Sequence, residues 1–327
     1  MTQRRSLLGA ASAALMLGGS GMARAQPRYP SRPLRVIVPF APGGATDLFA
    51  RKFAERAAAN FGQPVVVENR GGAGGIIGSA EVARAAPDGY TALFGTASTH
   101  GVNPTMMVNP TYDALRDYAH VAIVGTAPLV IAVHPAFPAR NLREMVEAVR
   151  ARPGQYAYST AGVGTITHLA FESLKQQQGL DVAHLAYRGS SPALTDVLAG
   201  NVPLFLETFG PLIPHHRAGR IRIIAVLAAS RSAVMPDIPT AAEVGIANME
   251  FGTFNVLCLP AATPQAAVVA LNAATNATMR NEQLRQELLD LAIEAVADST
   301  PDSARTYVQR EIEKWAPLVR ASGAKIE

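Results

Sequence analysis

Apolar runs of strand length alternate with segments of helical period from Leu34 to the C-terminus, and this alternation limits the chain to an α/β architecture with mostly parallel sheets. Leu34-Arg35-Val36-Ile37-Val38 reads as a strand. Asp47 then caps a helix that turns Leu48, Phe49, Phe53, Ala54 and Ala57 inward, and Gly62 stops it. Val65–Val67, a Gly-rich bend, a helix from Ile76 to Ala85, the turn Pro87-Asp88-Gly89 and the strand Thr91–Phe94 follow. The same rhythm continues through Leu129–Val133, the helix 142–151, Tyr156–Ser159, the helix Ile166–Gln178, Val182–Ala186, Pro203–Leu206 and Ile221–Leu227. Thr263-Pro264 and Thr300-Pro301 each place a capping hydroxyl before a first-turn proline and open the last helices.

Two sheets suit this length better than one. The N-terminus carries Arg4-Arg5, a short apolar run broken by Gly9, Gly18, Gly19 and Gly21, and Ala23-Arg24-Ala25, the pattern of an export signal cleaved after Ala25. Adjacent arginines before Leu7-Leu8 fit a twin-arginine signal, and a general secretory signal remains open; the run is too short for a good membrane anchor. Removing residues 1–25 leaves 302 residues with 26 Lys+Arg against 25 Asp+Glu, so the apparent basicity belongs to the leader and no nucleic-acid footprint remains. Ile123–Pro128 and Met249–Leu259 are candidate crossings between two lobes. If both cross, the C-terminal helices return to the first lobe, giving lobe 1 as 26–125 plus 254–327 and lobe 2 as 126–253.

Two loops carry candidate chemistry. Pro39-Phe40-Ala41-Pro42-Gly43-Gly44-Ala45-Thr46-Asp47 leaves a strand and enters a helix, and Ser159 to His168, with Gly162, Gly164 and Thr165, does the same in the second half. Glycines admit close backbone approach, and free N–H groups at a helix start attract an anion. Neither loop has a Lys or Arg, so a carboxylate held by amides, hydroxyls and water fits better than a phosphate. A plain strand–helix turn is the competing reading of either loop alone.

Other signals are weaker. Gly72-Ala73-Gly74-Gly75-Ile76-Ile77-Gly78 resembles a dinucleotide loop, but the acidic residue expected about 20 positions on is absent, so no cofactor is expected. The seven histidines are scattered; His215-His216 reads as a solvated pair, and His168 as either a ligand contact or a capping and packing residue. The single cysteine, Cys258, sits in an apolar run as an inert thiol, which excludes a disulfide framework, and no metal site is expected. Glu207, after the strand Val202–Leu206, is either a cleft residue or half of a salt bridge elsewhere. No nucleophile–base pair appears, which disfavours the rival reading of an exported α/β hydrolase.

With those residues in view, the chain from Pro30 onward resembles the Bug family, the extracytoplasmic solute receptors of tripartite tricarboxylate transporters. The matching stretches are Arg32 to Phe40 running into Pro42–Asp47, Gln63 to Arg70 with Gly72–Gly75, Ala86 to Thr91, Tyr187 to Asp196, and Met235 to Thr240. The resemblance implies a two-lobed type II periplasmic-binding-protein fold: each lobe a mostly parallel sheet flanked by helices, joined by a hinge of two crossing strands. It further implies a monomer that captures a small mono- or dicarboxylate or an aromatic acid by domain closure, without catalysis, in the periplasm. Ligand contacts would fall on Gly43, Gly44, Ala45, Thr46 and Asp47, and on Ser159, Gly162, Thr165 and His168, with Pro42, Thr96, Ser98, Ser190, Glu207 and Thr208 as further candidates. A membrane permease is the implied partner, although orphan sensory receptors without one occur in such families. The chain departs from the pattern at Glu207-Thr208, where relatives often carry Asp-Asn, and at Phe254-Asn255-Val256, where they often carry Trp-Phe-Gly.

Overall fold

The computed structural model describes residues 29–326, so the proposed leader lies outside the described residues. The first lobe opens as β1 (Leu34–Val38), α1 (Ala45–Phe61), β2 (Val65–Asn69), α2 (Ile76–Ala83), β3 (Thr91–Thr96) and α3 (Asn103–Met106). A long strand, β4 (Tyr118–Val133), leads into α4 (Leu142–Arg150), β5 (Ala157–Thr160), α5 (Ile166–Gln178), β6 (Ala183–Ala186), α6 (Ser190–Leu198), β7 (Leu204–Thr208), α7 (Phe209–Arg217) and β8 (Arg222–Leu227). The chain then returns along β9 (Gly252–Pro260) to α8 (Gln265–Met279), α9 (Glu282–Leu289), β10 (Glu294–Ala295) and α10 (Pro301–Ser322).

These strands form one curled sheet in the order β2-β1-β3-β9-β4-β7-β5-β6, with β8 and β10 paired to β4 off that path. The strand–helix–strand units give the parallel pairs β1·β2, β1·β3, β5·β6 and β5·β7. The crossing strands run antiparallel to their neighbours. From Tyr118 to Pro128, β4 pairs with β9; from Leu129 to Val133 it pairs with β7 and β8. The Pro-containing stretch Ile123–Pro128 is therefore part of one continuous strand. A register shift between Ile123 and Gly125 marks where it bends.

Two caps differ from the sequence reading. Gly44, not Asp47, is the N-cap of α1; Asp47 sits in the first turn, and its Oδ2 accepts from the Gly43 N–H at 2.8 Å. Thr263 does not cap α8: its hydroxyl donates to the Pro260 carbonyl at 2.7 Å, and Pro264 occupies the cap. Thr300 behaves as expected, accepting from the Ser303 N–H while Ser303 Oγ accepts from the Thr300 N–H. That capping box starts α10, which packs on β4 in the first lobe and on α5 in the second. The sole tryptophan, Trp315 on α10, is buried and stacks on Phe251 with ring centroids 5.2 Å apart. Thr300→Ala removes one arm of the capping box and is expected to lower stability by about 1 kcal/mol, read as a shifted urea midpoint with an unchanged slope.

Candidate functional site

Four helices begin around one partly open cavity between the lobes. Its wall includes Gly44, Ala45 and Thr46 at the start of α1, Thr165, Ile166 and Thr167 at α5, Ser190 at α6, and Glu207 and Thr208 just before α7. The first N–H groups of a helix have no partner within it, and each N-terminus carries roughly half a positive charge. Thr96 and Ser98, at the end of β3 and just beyond it, complete the polar wall, and Phe40, Leu129, Ala161 and Thr253 close the rest. Among the lining residues there is no lysine or arginine. With no cation in the wall, the positive partial charges available to a ligand there are those of the helix N-termini.

The cavity is small, about 50 Å³, because the lobes are drawn together. Ser98 Oγ in the first lobe accepts from the Ile166 N–H at the start of α5 at 3.0 Å. Glycines make the approach possible. A Cβ on Gly43 would sit 2.7 Å from Ser191 Oγ, and one on Gly189 would sit 2.9 Å from Ala41 Cβ. The Gly72–Gly75 stretch that mimics a dinucleotide loop lies along the same seam, with Gly74 against the Val163 carbonyl. A larger groove of about 480 Å³ lies behind the crossing strands, between Ser230–Val234, Tyr307 and Lys314, but no helix starts there.

Of the residues expected in the site, Gly44, Ala45, Thr46, Thr96, Ser98, Thr165, Ser190, Glu207 and Thr208 line the cavity. Pro42, Gly43, Asp47, Ser159, Gly162 and His168 do not line it and stand outside or behind its wall. Asp47 is buried and holds the first loop. Burial acts to raise its pKa, but hydrogen bonds from Arg51, the Gly43 N–H and Asn69 outweigh burial and leave it below the usual carboxylate range. Ser159 ties β5 to the Leu204 carbonyl at 3.3 Å, and the Gly162 carbonyl accepts from Thr165 Oγ1 at 2.7 Å. His168 is a packing residue, stacked on His184 at 4.3 Å with its pKa lowered, chiefly by burial. Phe40, Leu129, Ala161, Ile166, Thr167 and Thr253 were not named as ligand contacts from the sequence; Phe40 lies within the first candidate loop and Ala161, Ile166 and Thr167 within the second, whereas Leu129 and Thr253 lie on the crossing strands, outside both loops.

Glu207 is the acidic residue in the wall, 5% exposed, and forms no salt bridge among the described residues. Burial pushes its pKa up, against hydrogen bonds from Ser190 and from the Thr208 N–H and hydroxyl. Thr96 Oγ1, buried at the same wall, has no hydrogen-bond partner among the described residues.

The histidines are less scattered in space than in sequence. His100, His120 and Cys258 meet in the first lobe, all buried. Burial lowers the pKa of both histidines, His120 to about 4 with help from the nearby Arg305 charge, and raises that of the thiol. His215 and His216 are half-buried, not a solvated pair; His216 Nδ1 accepts from the Ile223 N–H at 3.1 Å.

Residues 49–324 match the tripartite tricarboxylate transporter family receptor, TctC. The chain belongs to that family. Protein BugT of Bordetella pertussis is 35% identical over 300 residues, covering 91% of this chain and 92% of BugT. The solved periplasmic binding protein BugD superposes with a TM-score of 0.88 at 31% identity over 91% of this chain and all of that one. MatC of Rhodopseudomonas palustris, solved with bound malate, gives 0.85 at 31% identity over 89% of this chain and all of that one. This TctC receptor is thus a periplasmic solute-binding protein with a two-lobed fold, and its relatives bind solutes rather than transform them.

The backbone distinguishes the two glycines of the first loop. Gly43 lies at φ +81, whereas Gly44 has an ordinary extended φ of −80 and room for a Cβ 3.5 Å from that of Ser190. Gly43→Ala is expected to cost about 1–2 kcal/mol and to weaken closure. Gly44→Ala should stay near wild type in thermal unfolding. Equal melting temperatures for the two variants would contradict the loop geometry.

Proposed function

We propose that this receptor captures a small dicarboxylate between its lobes and delivers it to a membrane permease. The observation that supports this reading most directly is the set of four helix N-termini around a cavity wall without lysine or arginine. Their summed partial charge, on the order of +2, suits a dianion about four carbons long, held at each end by amides and hydroxyls from a different lobe. The malate bound by the similar MatC is of this class. Ligand bridging both lobes would stabilise the closed arrangement by its differential affinity. We take the working unit to be a single chain, because one chain supplies the whole wall, with the hinge dividing it into 26–125 plus 254–327 and 126–253.

We further propose that Glu207 is protonated in the complex and donates to a ligand carboxylate. An ionised carboxylate beside a dianion would be repelled, and burial already favours the neutral form. Affinity should then fall as pH rises through the elevated Glu207 pKa, by up to about tenfold per pH unit. Glu207→Gln keeps a donor and cannot ionise, so its affinity should be flat over the same range. Calorimetric titration with succinate and malate at several pH values tests both ideas. No heat with either acid, nor with longer or aromatic acids, would remove the carboxylate reading; binding with no pH dependence in wild type would remove only the Glu207 role.

Export is proposed to end with cleavage after Ala25. N-terminal sequencing of periplasmic protein should begin at Gln26, and Lys replacements of Arg4 and Arg5 should block export only if the route is twin-arginine.

A further inference from the structure

A second, chemically distinct constellation lies within the first lobe. His120 on β4 and Cys258 on β9 are register partners in the antiparallel pair, so their side chains emerge side by side. His100 reaches them from the π-helical segment Ser98–Val102 that follows β3. One ligand atom from each of the three falls within 4.8 Å of the others. The pocket for the His100 ring exists because residue 95 is glycine: a Cβ there would lie 2.8 Å from the imidazole.

Hydrogen bonding fixes which atoms face inward. Thr99 Oγ1 accepts from the Thr96 N–H and lies 3.2 Å from the Thr96 carbonyl, to which it donates. Its 2.9 Å contact with His100 Nδ1 engages that nitrogen, so Nε2, 3.7 Å from Cys258 Sγ, is the ring nitrogen that faces the cluster. A histidine ligand oriented by a bond to its other nitrogen is the usual arrangement at metal sites. Metal bonds of about 2.0–2.3 Å at 120° would separate nitrogen and sulfur by about 3.7 Å. His120 supplies the independent sign. It is 4% exposed, its approach to the Ala114 backbone falls short of hydrogen-bond geometry, and neither ring nitrogen has a well-formed partner among the described residues, an arrangement that costs free energy unless something occupies it.

We propose that His100 Nε2, a ring nitrogen of His120 and the Cys258 thiolate form a trigonal site for cuprous ion. Thiolate and imidazole are the ligands that soft cations choose. The charge selects among them. One thiolate and two neutral imidazoles carry −1, so Cu(I) makes the buried site neutral, whereas Zn(II) would leave a net positive charge close to Arg305. On binding, the Cys258 S–H bond breaks, its proton leaves to solvent and a Cu–S bond forms. Copper stays Cu(I), and no electron is transferred.

Anaerobic titration of the exported chain with Cu(I) held by bicinchoninate tests the site. The expected result is transfer of one copper and release of one proton per chain, with X-ray absorption showing one sulfur and two nitrogen neighbours. Cys258→Ser and, separately, His120→Leu should weaken uptake on the order of 100-fold or more while circular dichroism stays native. Zn(II) under the same conditions should not displace the copper. Copper bound without a sulfur neighbour in wild type, or undiminished uptake by a folded Cys258→Ser protein, would overturn the assignment whatever the second variant does. Displacement by equimolar Zn(II) would overturn the choice of metal.

Discussion

Everything in the cleft depends on two backbones coming close enough for their amides to serve one small molecule. Side chains would hold them apart, so the seam between lobes is written in glycine: Gly43 against Ser191, Gly74 against the Val163 carbonyl, Gly189 against Ala41. The positive potential is consequently made of peptide dipoles and not of mobile cations. Such dipoles are already oriented before a ligand arrives, so little ordering remains to be done on binding. An arginine would have bound an anion more strongly but also less selectively for distance, because its long stem adapts. Four fixed helix starts do not adapt, and the spacing between them sets the spacing of the charges they suit.

The legible parts of the chain are those whose determinants are local. Leu34–Val38 and Ile166–Gln178 appear at the predicted bounds because their apolar runs and stops, such as Gly179 in the left-handed region, lie within the element. Both glycine loops were visible for the same reason. Helix α7 was not, because Pro211 and Pro214 interrupt its pattern and packing against β7, β4 and β8 keeps it helical. Asp47 looked like a cap because of its position beside a helix start, whereas its burial lets it bind backward to Gly43 and sideways to Asn69. Whether Glu207 faces the cleft or forms a salt bridge elsewhere could not be read from Leu206-Glu207-Thr208. It is settled by which face of β7 meets the seam.

The three buried ligand-type residues make the same point more sharply. His100 and Cys258 are 158 positions apart, and only the pairing of β9 with both β3 and β4 brings them together. A count of cysteines and a scan for short spacings are blind to a site assembled by sheet register.

The stack of Trp315 on Phe251 has a practical side. Phe251 immediately precedes β9, where the chain crosses between the lobes, and Trp315 rides on the helix that touches both of them. Since the chain has a single indole, its ultraviolet emission comes from one address, at the pivot. Any rotation of one lobe against the other alters the packing around that ring, so the protein carries its own optical gauge of opening, with no label attached.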